Sequence, residues 1–471
     1  MNLRIDRATE ISLLLAALAA LGMALLLVRM TLPMALGVGL GLAVLVIALA
    51  SDELALYLLI FSMLLGPEFI VGEIGKGTTL GRGLTFRLDD VLIVIIGFAW
   101  LGKAAIHKEL GLFLRTPLNR PVAAYSFAVI FATGLGMIAG RVNALSGTLF
   151  VLKFIQYFVI YFMVVNNLRD RKQFERFLLA LLTTAAISSL IGILQIPSGL
   201  RVSAPFEGST GEPNTFGGYL VLMLAVVAGI YLTSESPQRK FVLAPLAVLI
   251  TVPLLFTLSR ASYVALIPLA GGLLFFSQRK LLIASLLAFS LALAPFLLPK
   301  AVVNRVFYTI TQPFHPAQAQ IGGVRLDTST SLRLRSWQEV VFVTWPKHPV
   351  FGYGVTGHRF FDAQYPRVLV ETGLVGFLAF LWLQISIFRR ARDVLTTTQD
   401  PLFKGVALGF LTGFIALIFH SVGTNTFIIV RIMEPFWFLA GMVTMIPQLE
   451  ASPTIGEAFK EPSPAWAGSV R

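Results

Sequence analysis

The sequence predicts an all-α polytopic membrane protein with about 12–14 transmembrane helices, and three observations lead there. Of 471 residues, 56% are hydrophobic and only 13% charged, about half the charged fraction of a water-soluble domain. Apolar stretches of roughly 20 residues recur along almost the whole chain, each long enough to cross the hydrocarbon of a bilayer. They are continuous, not alternating as in a β-barrel, and in lipid a continuous apolar run satisfies its own backbone only as a helix. A soluble globular enzyme and an outer-membrane barrel are both excluded.

Fourteen candidate spans follow in order: 11–28, 32–50, 53–71, 90–106, 121–139, 147–166, 174–196, 216–233, 241–258, 261–276, 281–298, 367–388, 403–420 and 426–447. The first follows Arg4 and Arg7 with no clear small-residue cleavage site, so it reads as a retained span and not a signal peptide. Only Ser51 and Asp52 separate the second from the third, and the third contains Gly66 and Pro67. Twelve or thirteen crossings therefore stay open beside fourteen. The organisation that results is 1–140, N-terminal helices; 141–298, core helices carrying the Arg201 and Arg260 loops; 299–366, one long outer segment between the eleventh and twelfth spans; 367–447, C-terminal helices. Residues 448–471, rich in Pro, Ser, Ala and Glu without apolar period, read as a disordered tail.

The net charge of +13 reports orientation before it reports a nucleic-acid partner. With the N-terminus in the cytoplasm, twenty basic residues fall on the inner side. The short outer loops hold only Arg29, Lys76, Arg82, Arg87, Arg141, Arg201 and Arg260. Both termini are then cytoplasmic. The absence of cysteine removes disulfides, thiol catalysis and cysteine metal sites, and leaves the redox compartment open. Five histidines, His107, His315, His348, His358 and His420, show no metal-ligand spacing, and no nucleotide-binding glycine motif follows a strand. Neither metal nor cofactor is expected. Inside the bilayer Arg431 and Glu434, three apart, read as an intrahelical pair, while Lys153 has no assignable partner and either snorkels or lines a cavity.

Four features lie on the outer face. Arg201 opens a loop that runs through Glu212, Pro213 and Asn214 into the eighth span, where helix N-terminal amides and the arginine would face an anion; an ordinary Gly/Pro connector is the plainer alternative. Arg260 sits in the two-span turn Leu258-Ser259-Arg260-Ala261-Ser262, where it would snorkel to headgroups or, with Arg141 and Arg201, form a phosphate cluster, since guanidinium bonds phosphate oxygens bidentately. Thr328 to Ser331 would cap an amphipathic helix reaching Trp345, with Leu334, Trp337, Val341 and Trp345 on one face and Arg335, Gln338 and Glu339 on the other. Finally, Asp362 and Glu371 flank the start of the twelfth span, which Pro366 would begin. A carboxyl in a low-dielectric mouth can act as a base, although helix capping for Asp362 and an interhelical hydrogen bond for Glu371 are the structural alternatives.

Taken in order, these residues resemble the O-antigen polymerase and O-antigen ligase superfamily over about residues 140 to 390. The resemblance rests on the Arg201 loop with Glu212-Pro213-Asn214 and Gly217, on Ser259-Arg260, on Arg333 with Trp337, on Pro349-x-x-Gly352-x-Gly354, and on Glu371-x-Gly373-x-x-Gly376. It implies a GT-C-like membrane glycosyltransferase of the bacterial inner membrane. Its donor would be an undecaprenyl-diphosphate-linked oligosaccharide, used on the periplasmic face without a required metal. Membrane lipids and a chain-length regulator would be its other partners. Where the ligases usually carry a histidine base, this chain has Asp362, which favours a polymerase extending a polysaccharide repeat over a ligase acting on lipid or protein.

On that reading Asp362 is the base, with His358 next in line, and Arg260 and Arg201 neutralise the departing diphosphate. Arg141, Arg359 and Arg367 are further contacts, Glu212 and Tyr365 also bind the diphosphate or glycan, and Asn214 and Glu371 orient neighbours. A lipid-linked oligosaccharide flippase is the non-enzymatic rival. It would carry charge along its bundle interior, whereas the unusual charges here sit outside.

Overall fold

A computed structural model describes residues 32–70, 85–106, 114–207, 211–316, 318–321 and 324–451. The first half of the described chain forms α1 (Leu32–Ala50), α2 (Asp52–Leu65), α3 (Leu88–Ile106), α4 (Asn119–Ile138), α5 (Ala144–Asn167) and α6 (Arg171–Gln195). The second half forms α7 (Pro213–Thr233), α8 (Pro237–Phe256), α9 (Arg260–Phe276), α10 (Lys280–Leu297), α11 (Lys300–Thr311), α12 (Thr328–Glu339), α13 (Gln364–Thr397), α14 (Pro401–His420) and α15 (Val430–Ala451). Thirteen of the fourteen expected spans coincide with these helices. The remaining one, 11–28, lies outside the described residues, as does the tail from 452. Eight of the described helices, α4 to α8 and α13 to α15, are both long and apolar enough to cross a membrane, so the chain is a polytopic all-α membrane protein.

Two boundaries differ from expectation for identifiable reasons. The span expected over 53–71 stops at Leu65, because Gly66 leaves the helix and Pro67 cannot continue it. The chain then enters a short antiparallel hairpin, β1 (Glu68–Ile70) on β2 (Thr85–Arg87). The span expected over 281–298 is α10, which turns by 98° into α11 beyond Leu298 and Pro299.

The core is built from α7, α14 and α15, whose apolar windows are 83%, 78% and 89% buried. Gly405, Gly409 and Gly413 recur every fourth residue along α14 and let it press against α7. A methyl group at Gly409 would meet Val226 Cα at 2.5 Å. Close backbone approach of this kind drives helix association in lipid, where hydrophobicity between helices does not.

At one end of the bundle Thr233 donates to the Pro401 carbonyl and Arg171 pairs with Asp400. At the other end the N-termini of α7, α9, α13 and α15 meet the C-termini of α8 and α14. There the Gln364 amide donates to the Ser421 carbonyl, and the Gln364 side chain accepts from the Phe427 amide. All the site residues considered below lie at this end.

Buried charges inside the bundle find partners other than those expected. Arg431 does not pair with Glu434. It bonds Glu207 at 3.1 Å and the carbonyls of Leu64 and Pro205, so it staples the 201–207 loop to the end of α2. Glu434 instead accepts from Gln156 of α5. Lys153 pairs with Asp90 at 3.1 Å, both lining an apolar cleft of about 440 Å3 between α3 and α5.

The long segment carries α11, a second hairpin of β3 (Gln320–Ile321) and β4 (Val324–Arg325), and α12. Asp327, rather than the Thr/Ser run, caps α12 by accepting from the Ser329 amide at 3.1 Å. The amphipathic helix expected to reach Trp345 ends at Glu339, where a π turn spans Val340–Thr344. Val340, at the start of that turn and three residues after Trp337, is the buried position in place of Val341, and it packs against Phe361 and Val370.

The two glycine signatures prove to be two halves of one joint. Gly373 breaks α13 with φ 64°, freeing backbone groups that the 349–354 turn takes up. Leu374 N donates to Pro349 O at 2.8 Å and Val375 N to Val350 O at 3.1 Å, while Tyr353 N and Gly354 N donate to Val370 O and Glu371 O, each at 2.9 Å. This joint holds the residues before α13 in place over the bundle end.

Candidate active site

The turn between α8 and α9 is the hub of the site. Thr257 ends α8, and Leu258 takes a left-handed φ of 49°, a conformation that costs a non-glycine residue about 1 kcal/mol or more. That geometry turns two successive carbonyls to nearby arginines: Thr257 O accepts from Arg201 Nε at 2.9 Å, and Leu258 O from Arg305 Nε at 3.2 Å. Ser259 then caps α9 by accepting from the Ser262 amide, and its hydroxyl donates to Asn214 Oδ1 at 2.8 Å.

Around this turn a polar pocket of about 60 Å3 is lined by Arg201, Asn214, Arg260, Ala261, Arg305, Ser329 and Arg333. Asn214, Arg260 with Ala261, and Ser329 stand in the first turns of α7, α9 and α12. Three helix N-termini therefore bring their positive dipole ends to one place. Among the described residues, two carboxylates form ion pairs with these arginines. Asp327 pairs with Arg260 at 2.7 Å, and Asp362 with Arg333 at 3.1 Å. Burial acts to raise the Asp327 carboxyl, but the hydrogen bonds from Arg260 and Thr330 and the Arg260 charge together outweigh it and hold the group below the usual carboxylate range. Burial, then the charge of Arg305, pushes the Arg201 guanidinium down from its ordinary value. Burial, then the like charge of Arg260, lowers Arg305 in the same way, and an anion among these three guanidinium groups would relax their repulsion.

The residues singled out from sequence divide accordingly. Arg201, Arg260 and Asn214 line the pocket, and Asp362, which is exposed, touches its edge through Arg333. Glu212 precedes α7 as its cap residue, and its carboxylate accepts from Thr215 at 3.4 Å. Arg141 is not among the pocket residues. It reaches His348 at 3.3 Å and lies over the Tyr353 ring.

Arg359 pairs with Glu339 of α12 and stacks on Phe361, while Arg367 pairs with Glu371 at 2.9 Å within α13 and stacks on Phe360. Glu371 thus answers a neighbour on its own helix. Tyr365, half-buried, donates to Ile418 O and packs against Trp337. His358 lies between the rings of Tyr353 and Phe361. Burial, then the Arg359 charge, lowers it from the usual histidine value, so it is a neutral imidazole at pH 7. The helix α13 begins at Gln364, with Pro366 in its first turn.

Arg305 and Arg333 are the pocket arginines that sequence reasoning did not place in the site. Arg333 carried a signal, its spacing to Trp337. Arg305 carried none, being one of many basic residues in a segment where the inside-positive count does not apply.

Residues 245–381 match the family model described as O-antigen ligase (Wzy_C), and the match supports the O-antigen polymerase and ligase superfamily. The matched stretch holds Arg260, Arg305, Asp327, Arg333, Asp362 and the Gly373 joint. Arg201 and Asn214 lie ahead of it. No curated protein matches the chain.

Proposed function

We propose that this protein is an envelope polysaccharide polymerase of the bacterial inner membrane. It transfers glycan from an undecaprenyl-diphosphate-linked donor to a sugar hydroxyl of a second lipid-linked repeat on the periplasmic face. The observation that carries the reading is Arg333, which lines the arginine pocket and also holds the exposed carboxylate of Asp362. One side chain thereby links a diphosphate site to a base.

In the reaction, Asp362 accepts the proton of the acceptor hydroxyl, whose oxygen bonds the donor anomeric carbon from the face opposite the diphosphate. The carbon–diphosphate bond breaks and the configuration inverts. Charge gathering on the leaving diphosphate is met by Arg201, Arg260, Arg305 and Arg333 and by the amides at the three helix starts, a preorganised field of the kind that supplies most of the catalysis in such steps. As Arg333 turns to the diphosphate, Asp362 is released from its ion pair and its carboxylate is free to face the acceptor hydroxyl.

The matched family, described as O-antigen ligase, favours a second reading, a ligase whose acceptor is lipid or protein. The two share donor and pocket and differ only in acceptor. The test is purified protein with lipid-diphosphate oligosaccharide alone, following product length and released diphosphate lipid. A lengthening ladder is expected. Asp362→Asn should slow it by about 100-fold or more. Release only on adding a lipid or protein acceptor would establish the ligase, and full activity of Asp362→Asn would remove Asp362 as the base.

A further inference from the structure

A buried histidine reaches the arginine pocket through a one-directional hydrogen-bond chain. His420 closes α14 and is fully buried. Its Nε2 lies 3.2 Å from Ser262 Oγ; Ser262 Oγ donates to Ser259 Oγ at 2.9 Å, and Ser259 Oγ donates to Asn214 Oδ1 at 2.8 Å. Each serine has one proton, and both are committed toward Asn214. Ser262 must therefore accept from His420, which fixes the proton on Nε2. The other nitrogen, Nδ1, then accepts from the Thr426 hydroxyl at 2.7 Å. At the far end Asn214 Oδ1 also faces Arg201 Nη2 at 3.5 Å. With its oxygen so engaged, the NH2 of Asn214 is the group left to the pocket.

The chain is built into the packing. A Cβ at Gly217 of α7 would collide with Ser262 Oγ, and one at Gly218 would meet His420 Cε1 at 3.0 Å. Two successive glycines thus make room for the histidine and the serine.

We infer that His420 is a positioning residue: through Ser262 and Ser259 it locks the Asn214 side chain with its NH2 toward the pocket, adding a neutral donor for a diphosphate oxygen among the arginines. This rests on the diphosphate reading of the pocket. Without the Nε2 proton the serine chain can reverse, and Asn214 can present its oxygen to the anion, turning an attraction into a repulsion.

The test is binding of inorganic pyrophosphate to the purified full-length protein by calorimetry. Wild type is compared with Arg201→Ala, His420→Leu, His420→Gln, Ser262→Ala, Asn214→Ala and the His420→Leu/Asn214→Ala double variant. Expected are about tenfold weaker binding in His420→Leu and Ser262→Ala, near-wild-type binding in His420→Gln, whose amide replaces the Nε2 donor, and no further loss from His420→Leu once Asn214 is alanine. Equal loss in the Leu and Gln variants, or full additivity with Asn214→Ala, overturns the relay. Should His420→Leu fail to fold, wild-type binding by Ser262→Ala overturns it alone. An unchanged Arg201→Ala sinks the pocket reading instead, which keeps the two failures apart.

Discussion

Asp327 is 2% exposed, and its partner is the arginine at the first position of α9. Removing that arginine leaves a carboxylate buried without its cation, which typically costs about 3–5 kcal/mol. Arg260→Ala should therefore lose both transfer and stability. In Arg260→Ala/Asp327→Asn, thermal unfolding should recover while transfer stays absent, and continued transfer by the double variant would deny Arg260 a role with the donor. His358 supplies a pH prediction with a definite sign. Its folded value is lowered, so below the ordinary histidine value of about 6.5 the unfolded chain takes the proton first. Its contribution to stability is complete above that pH and is lost as pH falls toward the lowered folded value. Unfolding followed from about pH 7.5 to 5 should show this slope in wild type and less of it in His358→Asn.

The joint between the 349–354 turn and α13 shows why the glycine signatures are spaced as they are. Gly373 needs a left-handed φ, and a side chain there would strike the Val350 carbonyl. Gly373→Ala should cost about 2 kcal/mol or more and lower transfer through misplacement of Asp362, measured as a reduced midpoint of thermal unfolding together with a fall in kcat. An unchanged midpoint would mean the joint does not hold the segment. Here the sequence showed which residues matter but not why, because a break in one helix and the turn that fills it are twenty residues apart and become one object only when folded. The π turn after Glu339 is a similar case. Helical spacing from Trp337 put Val341 inside, but the inward position is Val340, set by its packing on Phe361 and Val370, which arrive from beyond the 349–354 turn.

For the molecule as a whole, orientation is the open proposal, and the cysteine-free sequence makes it simple to test. Gln338→Cys on α12 should react with an impermeant maleimide added to intact cells, and Arg392→Cys near the end of α13 only after permeabilisation. The reverse pattern would place the arginine pocket on the cytoplasmic side and end the periplasmic reading. The spans were legible in the sequence because lipid imposes one rule on every crossing: a continuous apolar run that satisfies its own backbone. The division of the arginines was not. Arg141, Arg201, Arg260, Arg359 and Arg367 are alike in composition and in nearness to helix ends. Tertiary structure alone turns two of them into the pocket, pairs the other three elsewhere, and brings in Arg305 and Arg333. The physical reason is range: hydropathy acts residue by residue along the chain, whereas a charge is placed by the carbonyls and carboxylates that folding carries to it from distant helices.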